Sequence, residues 1–185
     1  MERSDSTLFP VNAKVILITQ SFGAFCGNMP IRSIRYRFIQ HFKVPALEAY
    51  RWCTSYDPKD LSLMGTKGKR EIQWLSRDAV ILSDSYRKKN GGTFTKKKIV
   101  RLDPSALSWT NTHIAGPLKY SQFLYKIVPE GKNSSRLEFR GLQLQSLDAR
   151  NKQNTRTLAS KIRKEDSGTW KLLAIDLNKD LGQKG

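Results

Sequence analysis

The feature that most limits the fold of this chain is a succession of strand-like segments separated by short turn signals, between residues 72 and 145. Most of these segments alternate apolar and polar residues, which is typical of strands with one buried face. Turn signals stand between them as KKNGG at 88–92, DP at 103–104, GP at 116–117 and PEGKN at 129–133. Consecutive strands joined by short turns predict an antiparallel meander rather than a parallel α/β sheet.

Two further segments frame this meander. Residues 31–44 alternate with period two, which predicts a half-buried strand, and Pro45 suits the first turn of a helix that ends at the DP pair 57–58. At the other end, apolar residues recur at helical spacing over 154–181, with a candidate kink at 167–168. The predicted order is therefore one strand, a short helix, the meander and a long amphipathic helix.

Two local irregularities are also expected. The segment 61–69 contains two glycines and is interpreted as a loop. The apolar residues of segment 136–145 change parity near its middle, which predicts a β-bulge at Gly141.

This order of elements resembles the helix-grip fold of the START-like (SRPBCC) superfamily, which includes polyketide cyclase-like, coenzyme Q-binding and Bet v 1-type proteins. The motif that carries the resemblance consists of Val44, Pro45, Ala46, Glu48, Tyr50, Trp52, Asp57, Pro58, Asp60 and Leu61. The resemblance implies an α+β domain over 29–185, in which a curved antiparallel sheet wraps around the C-terminal helix and encloses an apolar cavity. Many members have a second short helix after this motif, and the sequence LSLMGTKGK departs from that pattern.

Such a cavity implies binding or transport of a hydrophobic or amphipathic small molecule, such as a lipid or isoprenoid. The residues expected at the cavity lie on the predicted inner faces of the strands and of the last helix: Trp74, Asp84, Tyr86, Trp109, Asn111, His113, Phe123, Tyr125, Phe139, Leu173 and Leu177. Aromatic walls with a few polar groups are typical of ligand pockets, although ordinary cores contain the same stripes. Asp84 stands on an otherwise apolar face, so its carboxylate requires a partner or a raised pKa.

The charge of the chain suggests a second kind of partner. With 33 Lys and Arg against 16 Asp and Glu, the formal net charge is +17, which favours anionic partners. The basic residues interpreted as an anion-binding surface are Lys88, Lys89, Lys96, Lys97, Lys98, Arg101, Lys161, Arg163 and Lys164. Such a surface would bind an anionic membrane or, without base specificity, nucleic-acid phosphates. A solvated face is the alternative interpretation, but two acid-free basic blocks exceed what it requires.

Nothing in the sequence requires an enzyme. It contains no Ser/His/Asp order, paired-carboxylate motif, GxGxxG or Walker loop, so no cofactor is predicted. With two His and without CxxC spacing, no metal site is predicted, and Cys26 and Cys53 are interpreted as reduced thiols of a cytoplasmic protein. Three functions stay open: small-molecule binding, nucleic-acid association, and a cyclase- or hydrolase-like activity around Asp84 or His113.

The first 28 residues differ from the rest of the chain. Their apolar run at 15–26 is too short and too often interrupted by polar residues to span a membrane, and it resembles a signal-peptide core without a convincing cleavage site. We interpret 1–28 either as an unstructured leader or as a segment upstream of the true start at Met29.

Overall fold

The computed structural model describes residues 31–64, 67–87, 91–146 and 154–182. The predicted leader at 1–28 lies outside the described residues, as do Lys88 and Lys89. The strands are β1 (Ile31–Phe42), β2 (Gly68–Ser76), β3 (Ala79–Arg87), β4 (Thr93–Asp103), β5 (Ser108–Ala115), β6 (Gln122–Gly131) and β7 (Ser134–Ser146). The helices are α1 (Ala46–Cys53), α2 (Asp60–Leu63) and α3 (Thr155–Gly182).

The strands form one antiparallel sheet with the order β1-β7-β6-β5-β4-β3-β2. Each strand of the meander pairs with the next one along the chain. The first strand, β1, pairs with β7 and forms the edge of the sheet opposite β2. The curved sheet packs one face, which we call the inner face, against α3, and it leaves the outer face exposed. The predicted antiparallel meander and the helix-grip architecture are both confirmed.

The alternating pattern of β1 decides which side chains line the inner face. Ile34, Tyr36 and Phe42 are buried there, whereas Arg35 and Arg37 point outward. The same alternation buries Trp109, Asn111 and His113 on β5, and Phe123, Tyr125 and Ile127 on β6. On α3 the buried residues that face this surface are Leu158, Ile162, Leu173, Ala174 and Leu177.

The short helix α1 begins where the sequence predicts. Pro45 is its N-cap, with φ at −57°, and the Pro45 carbonyl accepts a hydrogen bond from the Ala49 amide at 3.0 Å. The Ser135 hydroxyl donates to the Val44 carbonyl at 2.9 Å, which ties this turn to β7. At the other end of α1, the Trp52 indole donates to Asp180 at 3.1 Å and so connects α1 to α3.

Two local predictions were wrong. The segment predicted as a loop contains α2 and the start of β2, because Leu61 is buried and so anchors one helical turn. The expected bulge at Gly141 is absent, since β7 keeps an unbroken register with β1 from Ser135 to Ser146. Gly141 instead makes room for the ring of Tyr36, because a Cβ atom there would lie 2.8 Å from Cε1 of that ring.

The terminal helix is continuous. Residues 167–168, which we considered as a kink, lie within α3, and a Cβ atom at Gly168 would meet nothing within 4 Å. Among the helices of the described residues, none combines the length and the apolar character needed to cross a membrane.

Candidate functional site

A cavity of about 270 Å³ lies between the inner face of the sheet and α3. Strands β2 to β4 supply mainly charged side chains to its wall, and β1, β5 and β6 supply aromatic and neutral polar ones. The main lining residues are Tyr36, Arg70, Asp84, Tyr86, Lys96, Lys98, Asn111, His113, Phe123, Tyr125, Asp166 and Trp170. The cavity is therefore amphipathic, with a charged side and an aromatic side.

The charged side is organised around Arg70 and Asp84. The guanidinium of Arg70 donates to the two Asp84 oxygens, from Nε at 2.7 Å and from Nη2 at 3.1 Å. Its Nη1 donates to Asp60 at 2.8 Å, and Lys98 Nζ lies 3.7 Å from Asp84 Oδ2. The side chains of Arg70 and Asp84 are 3% and 4% exposed. The buried carboxylate of Asp84 is therefore paired with cations, as the sequence analysis required of a carboxylate on an apolar face.

These contacts decide the ionisation of the cluster. Burial alone would raise the pKa of Asp84, but the hydrogen bonds from Arg70 and the charge of Lys98 outweigh it and lower that pKa below its ordinary value. Burial lowers the pKa of Lys98. The negative charge of Asp84 opposes this shift, and the positive charges of Arg70 and Lys96 add to it. Burial also raises the pKa of Asp60 to about 6, against the attraction of Arg70. Asp84 is thus an anion that positions cations.

The basic residues 96–98 do not form one surface, contrary to the sequence prediction. Strand alternation turns Lys96 and Lys98 into the cavity and leaves Lys97 on the outer side of β4. Lys98 is 17% exposed, and Lys96 Nζ lies 5.2 Å from the centroid of the Tyr86 ring. The remaining described members of the predicted surface are exposed but separated, with Arg101 on the outer face of β4 and the others on α3: Lys161, Arg163 and Lys164.

Two polar atoms on the cavity wall have no partner in the described structure. His113 Nδ1 and Asn111 Oδ1 are both buried without a hydrogen bond, although Asn111 Nδ2 reaches the Tyr125 hydroxyl at 3.5 Å. Burial lowers the pKa of His113 to about 4, and the charges of Lys98 and Lys96 act in the same direction. The imidazole is therefore neutral at pH 7, and its Nδ1 can form one hydrogen bond with a group inside the cavity.

A second carboxylate enters the cavity from α3. Asp166 accepts a hydrogen bond from the Tyr36 hydroxyl on β1. Burial raises the pKa of Asp166 above its ordinary value, although this hydrogen bond opposes the shift. The pair holds the helix against the sheet beside the aromatic side of the cavity.

Stacked rings form the aromatic side. Trp109 and Tyr125 are parallel to within 2°, with centroids 4.9 Å apart, and Trp170 of α3 covers Tyr125 at 5.7 Å. Phe139 lies behind this layer, with its centroid 5.0 Å from that of Tyr125. Tyr125 and Trp170 line the cavity, and Trp109 and Phe139 pack against Tyr125 without lining it, so the rings of this side can contact the apolar part of a ligand.

The structure places the predicted ligand-binding residues in three groups. Six of them line the cavity: Asp84, Tyr86, Asn111, His113, Phe123 and Tyr125. Four are buried without lining it: Trp109, Phe139, Leu173 and Leu177. Trp74 lies away from it near the end of the edge strand β2, where it is 51% exposed because none of the described strands or helices covers that end.

Several wall residues were missed by the sequence analysis, above all Arg70 and Asp166. Arg70 could have been found, because the turn after β2 places it directly opposite Asp84. Asp166 carried no such signal, since its position depends on how α3 lies across the sheet. Within the described ranges, no three His, Cys, Asp or Glu side chains come together in a way that could hold a metal ion.

The neutral state of His113 predicts a pH-dependent stability. Between its ordinary pKa of 6.5 and about 4, the unfolded chain binds a proton at His113 that the folded chain does not, so folding is disfavoured as the pH falls. From pH 7 to pH 4 the free energy of unfolding of the unmodified chain should fall by about 3 kcal/mol more than that of His113→Gln. Urea unfolding at several pH values measures this difference, in which Asp60 and the other groups common to both chains cancel. Parallel pH curves for the two chains would contradict it.

Comparison with known proteins supports the fold. No protein-family model matches the chain, and no curated protein matches its sequence. A protein of unknown function from Staphylococcus aureus is 12% identical, with a TM-score of 0.67 over 85% of this chain and 100% of the other. Norcoclaurine synthase from Thalictrum flavum, in complex with dopamine and hydroxybenzaldehyde, is 14% identical to this chain. Its TM-score is 0.61, over 84% of this chain and 90% of the synthase.

An aromatase/cyclase from a Streptomyces species is 13% identical to this chain, with a TM-score of 0.55 over 83% of this chain and 93% of the other. At these identities the likeness shows the fold alone. The chain has the helix-grip fold, as the order of its strands and helices predicted.

Proposed function

We propose that this protein binds a small amphipathic molecule in the cavity between the sheet and α3. The molecule would carry a carboxylate or carbonyl group and a hydroxyl group on an apolar ring or short chain. The observation that carries this proposal is the pair of partnerless polar atoms, His113 Nδ1 and Asn111 Oδ1, beside the cations of Lys96 and Lys98. A buried polar atom without a hydrogen bond costs about 1–3 kcal/mol, which a bound polar group would recover.

The chemistry of each wall assigns the parts of the ligand. Asn111 Oδ1 can only accept a hydrogen bond, so it requires a donor such as a hydroxyl group. Lys96 and Lys98 can only donate, so they favour an anionic or carbonyl oxygen. The rings of Phe123 and Tyr125 would contact the apolar part.

The volume of the cavity limits the size of the ligand. At about 270 Å³ it lies just below the range of about 300–1,000 Å³ that holds drug-sized molecules. This favours a compact ring compound over the long-chain lipid or isoprenoid suggested by the sequence.

The same geometry gives little support to the catalytic roles considered for Asp84 and His113. Asp84 is held ionised by Arg70, so it is a weak base and carries no proton to donate. No carboxylate orients His113 through Nδ1, which lacks any partner in the described structure. We therefore propose a binding protein rather than an enzyme.

Adjacent lysines on β4 provide a matched test of the proposal. We expect Lys98→Met to weaken binding of a hydroxynaphthoate about 10-fold or more, because a buried hydrogen bond to a charged group contributes about 1.5–3 kcal/mol. Lys97→Met, which removes the same charge from the outer side of the strand, should leave the affinity unchanged. Isothermal titration calorimetry measures the affinity of both variants for hydroxynaphthoate. Naphthol, which lacks the carboxylate, serves as the control ligand.

Native mass spectrometry of protein purified through nuclease and high salt gives a second test. A discrete added mass that disappears on denaturation, and that is reduced in Lys98→Met, would identify the class of ligand. Equal affinity of the two lysine variants for hydroxynaphthoate, or equal binding of naphthol and hydroxynaphthoate, would contradict the proposed role of the charged side.

A further inference from the structure

The outer face of the sheet carries a second, larger depression, of about 840 Å³. Four exposed arginines from three strands surround it: Arg35, Arg37, Arg101 and Arg140. We call this depression the four-arginine groove. Its floor consists of shorter side chains from β5, β6 and β7: Thr110, Thr112, Gln122, Leu124 and Leu142. It lies on the opposite face of the sheet from the internal cavity.

Strand register places these arginines on both sides of the groove. Arg37, Arg140, Leu124, Thr110 and Arg101 follow one row across five neighbouring strands. Four strand spacings separate the first and last of them, so their backbones lie about 19 Å apart. An extended ligand crossing the sheet would meet cations at both ends of its path.

The four arginines have no counter-ion within the described parts of the chain. None of them forms an ion pair there, and Arg37 lies directly opposite Arg140. Like charges facing each other across two strands are destabilising, so a bound anion would relieve this repulsion. The carboxylates two residues from Arg140 and Arg101 on the same strands have other partners, since Glu138 accepts from Arg136 and Asp103 accepts from Ser105.

We propose that the four-arginine groove binds a segment of single-stranded nucleic acid. Arginine forks match phosphate oxygens. Arg35, Arg37 and Arg140 lie at one end of the path and Arg101 at the other, so a single strand that crosses the groove would place phosphates at both ends. The hydroxyl and amide groups of Thr110, Thr112 and Gln122 can hydrogen-bond to base edges, which are accessible where bases are unpaired. A flat bilayer surface would meet the rim of this depression but not its floor. The net charge of +17 favours the same partner at long range.

The salt dependence of binding tests the inference. Four phosphate contacts by a single strand correspond to a slope of about −2.8 in log affinity against log salt concentration, hence about a 50-fold loss between 50 and 200 mM salt. The variant Arg37→Gln/Arg140→Gln should make the slope less negative by about 1.4. Fluorescence anisotropy of a labelled mixed-sequence single strand measures both quantities. As a second variant, Leu124→Glu places a carboxylate in the floor and should also weaken binding.

The matched control is Arg51→Gln/Arg77→Gln, which removes two exposed arginines that do not line the groove, one from α1 and one from the turn between β2 and β3. It should leave the slope unchanged, and circular dichroism confirms that each variant keeps its fold. If both pairs of substitutions reduced the affinity and the salt slope equally, binding would depend on the general positive charge, and the groove would not be the binding site. Tighter binding to duplex DNA or to vesicles rich in phosphatidylserine would overturn the choice of partner. Since the groove and the cavity occupy opposite faces, Lys98→Met should not alter this binding.

Discussion

Replacement of Asp84 by alanine is expected to lower the free energy of unfolding by about 3 kcal/mol. The change leaves the guanidinium of Arg70, whose side chain is 3% exposed, without two of its hydrogen bonds, and it removes the counter-ion of Lys98. Breaking a buried ion pair by removing one partner costs about 3–5 kcal/mol. We expect the lower end of that range because Asp60 still binds Arg70. The midpoint of thermal unfolding should fall by about 6–12 °C.

Asp176→Ala is the control for this prediction. Asp176 lies on α3 and forms no ion pair within the described part of the chain, so its loss should change stability by less than about 0.5 kcal/mol. Circular dichroism during thermal and urea unfolding compares the two variants. If Asp84→Ala were no less stable than Asp176→Ala, the charged side of the cavity would not depend on a paired carboxylate.

Replacement of Phe139 by alanine is expected to cost about 4 kcal/mol. The ring is 2% exposed and lies between the rings of β1 and β6, with centroids 4.5 Å from Phe38 and 5.0 Å from Tyr125. Truncation of a buried Phe to Ala costs about 3–5 kcal/mol, because apolar surface is lost and the neighbours only partly fill the space. Removal of this support should also loosen the aromatic wall and reduce affinity for hydroxynaphthoate.

Phe94→Ala is the matched control, because Phe94 is half-buried and stacks on one neighbour, Tyr86, at 5.1 Å. Its truncation should cost about 1 kcal/mol, as for a partly exposed aromatic pair. Urea unfolding distinguishes the two variants. Equal costs for Phe94 and Phe139 would mean that the layer behind the cavity is not the central packing unit of the sheet.

The sequence was sufficient to predict the antiparallel meander because its signals are local, whereas the closure of the sheet around α3 was expected only from the family resemblance. Period-two alternation decides which face of each strand is buried, and the turn signals join neighbouring strands in chain order. The parity of β1, β5 and β6 follows from that alternation, which is why Asn111, His113 and Tyr125 were placed on the inner face. Gly141 was misinterpreted because the apolar residues change faces there: Leu142 lies on the outer face, where it lines the groove, while the register with β1 continues unbroken.

The sequence was much less informative about the charged residues. Residues 96–98 look like one basic run, but alternation along a strand sends neighbours to opposite faces, so the run divides between the cavity and the outer surface. The four arginines of the outer groove are scattered from position 35 to position 140, and only the pairing of β1 with β7 brings Arg37 beside Arg140.

The sequence by itself determined the order of strands and helices, the face that each strand buries and the excess of positive charge. The tertiary structure alone decided that Arg70, Asp84 and Lys98 meet in one cavity, and that Asp166 reaches Tyr36 from α3. The physical reason is the range of each effect. Backbone periodicity acts between residues a few positions apart, whereas burial and charge pairing depend on distances that exist only once the sheet has closed over the helix.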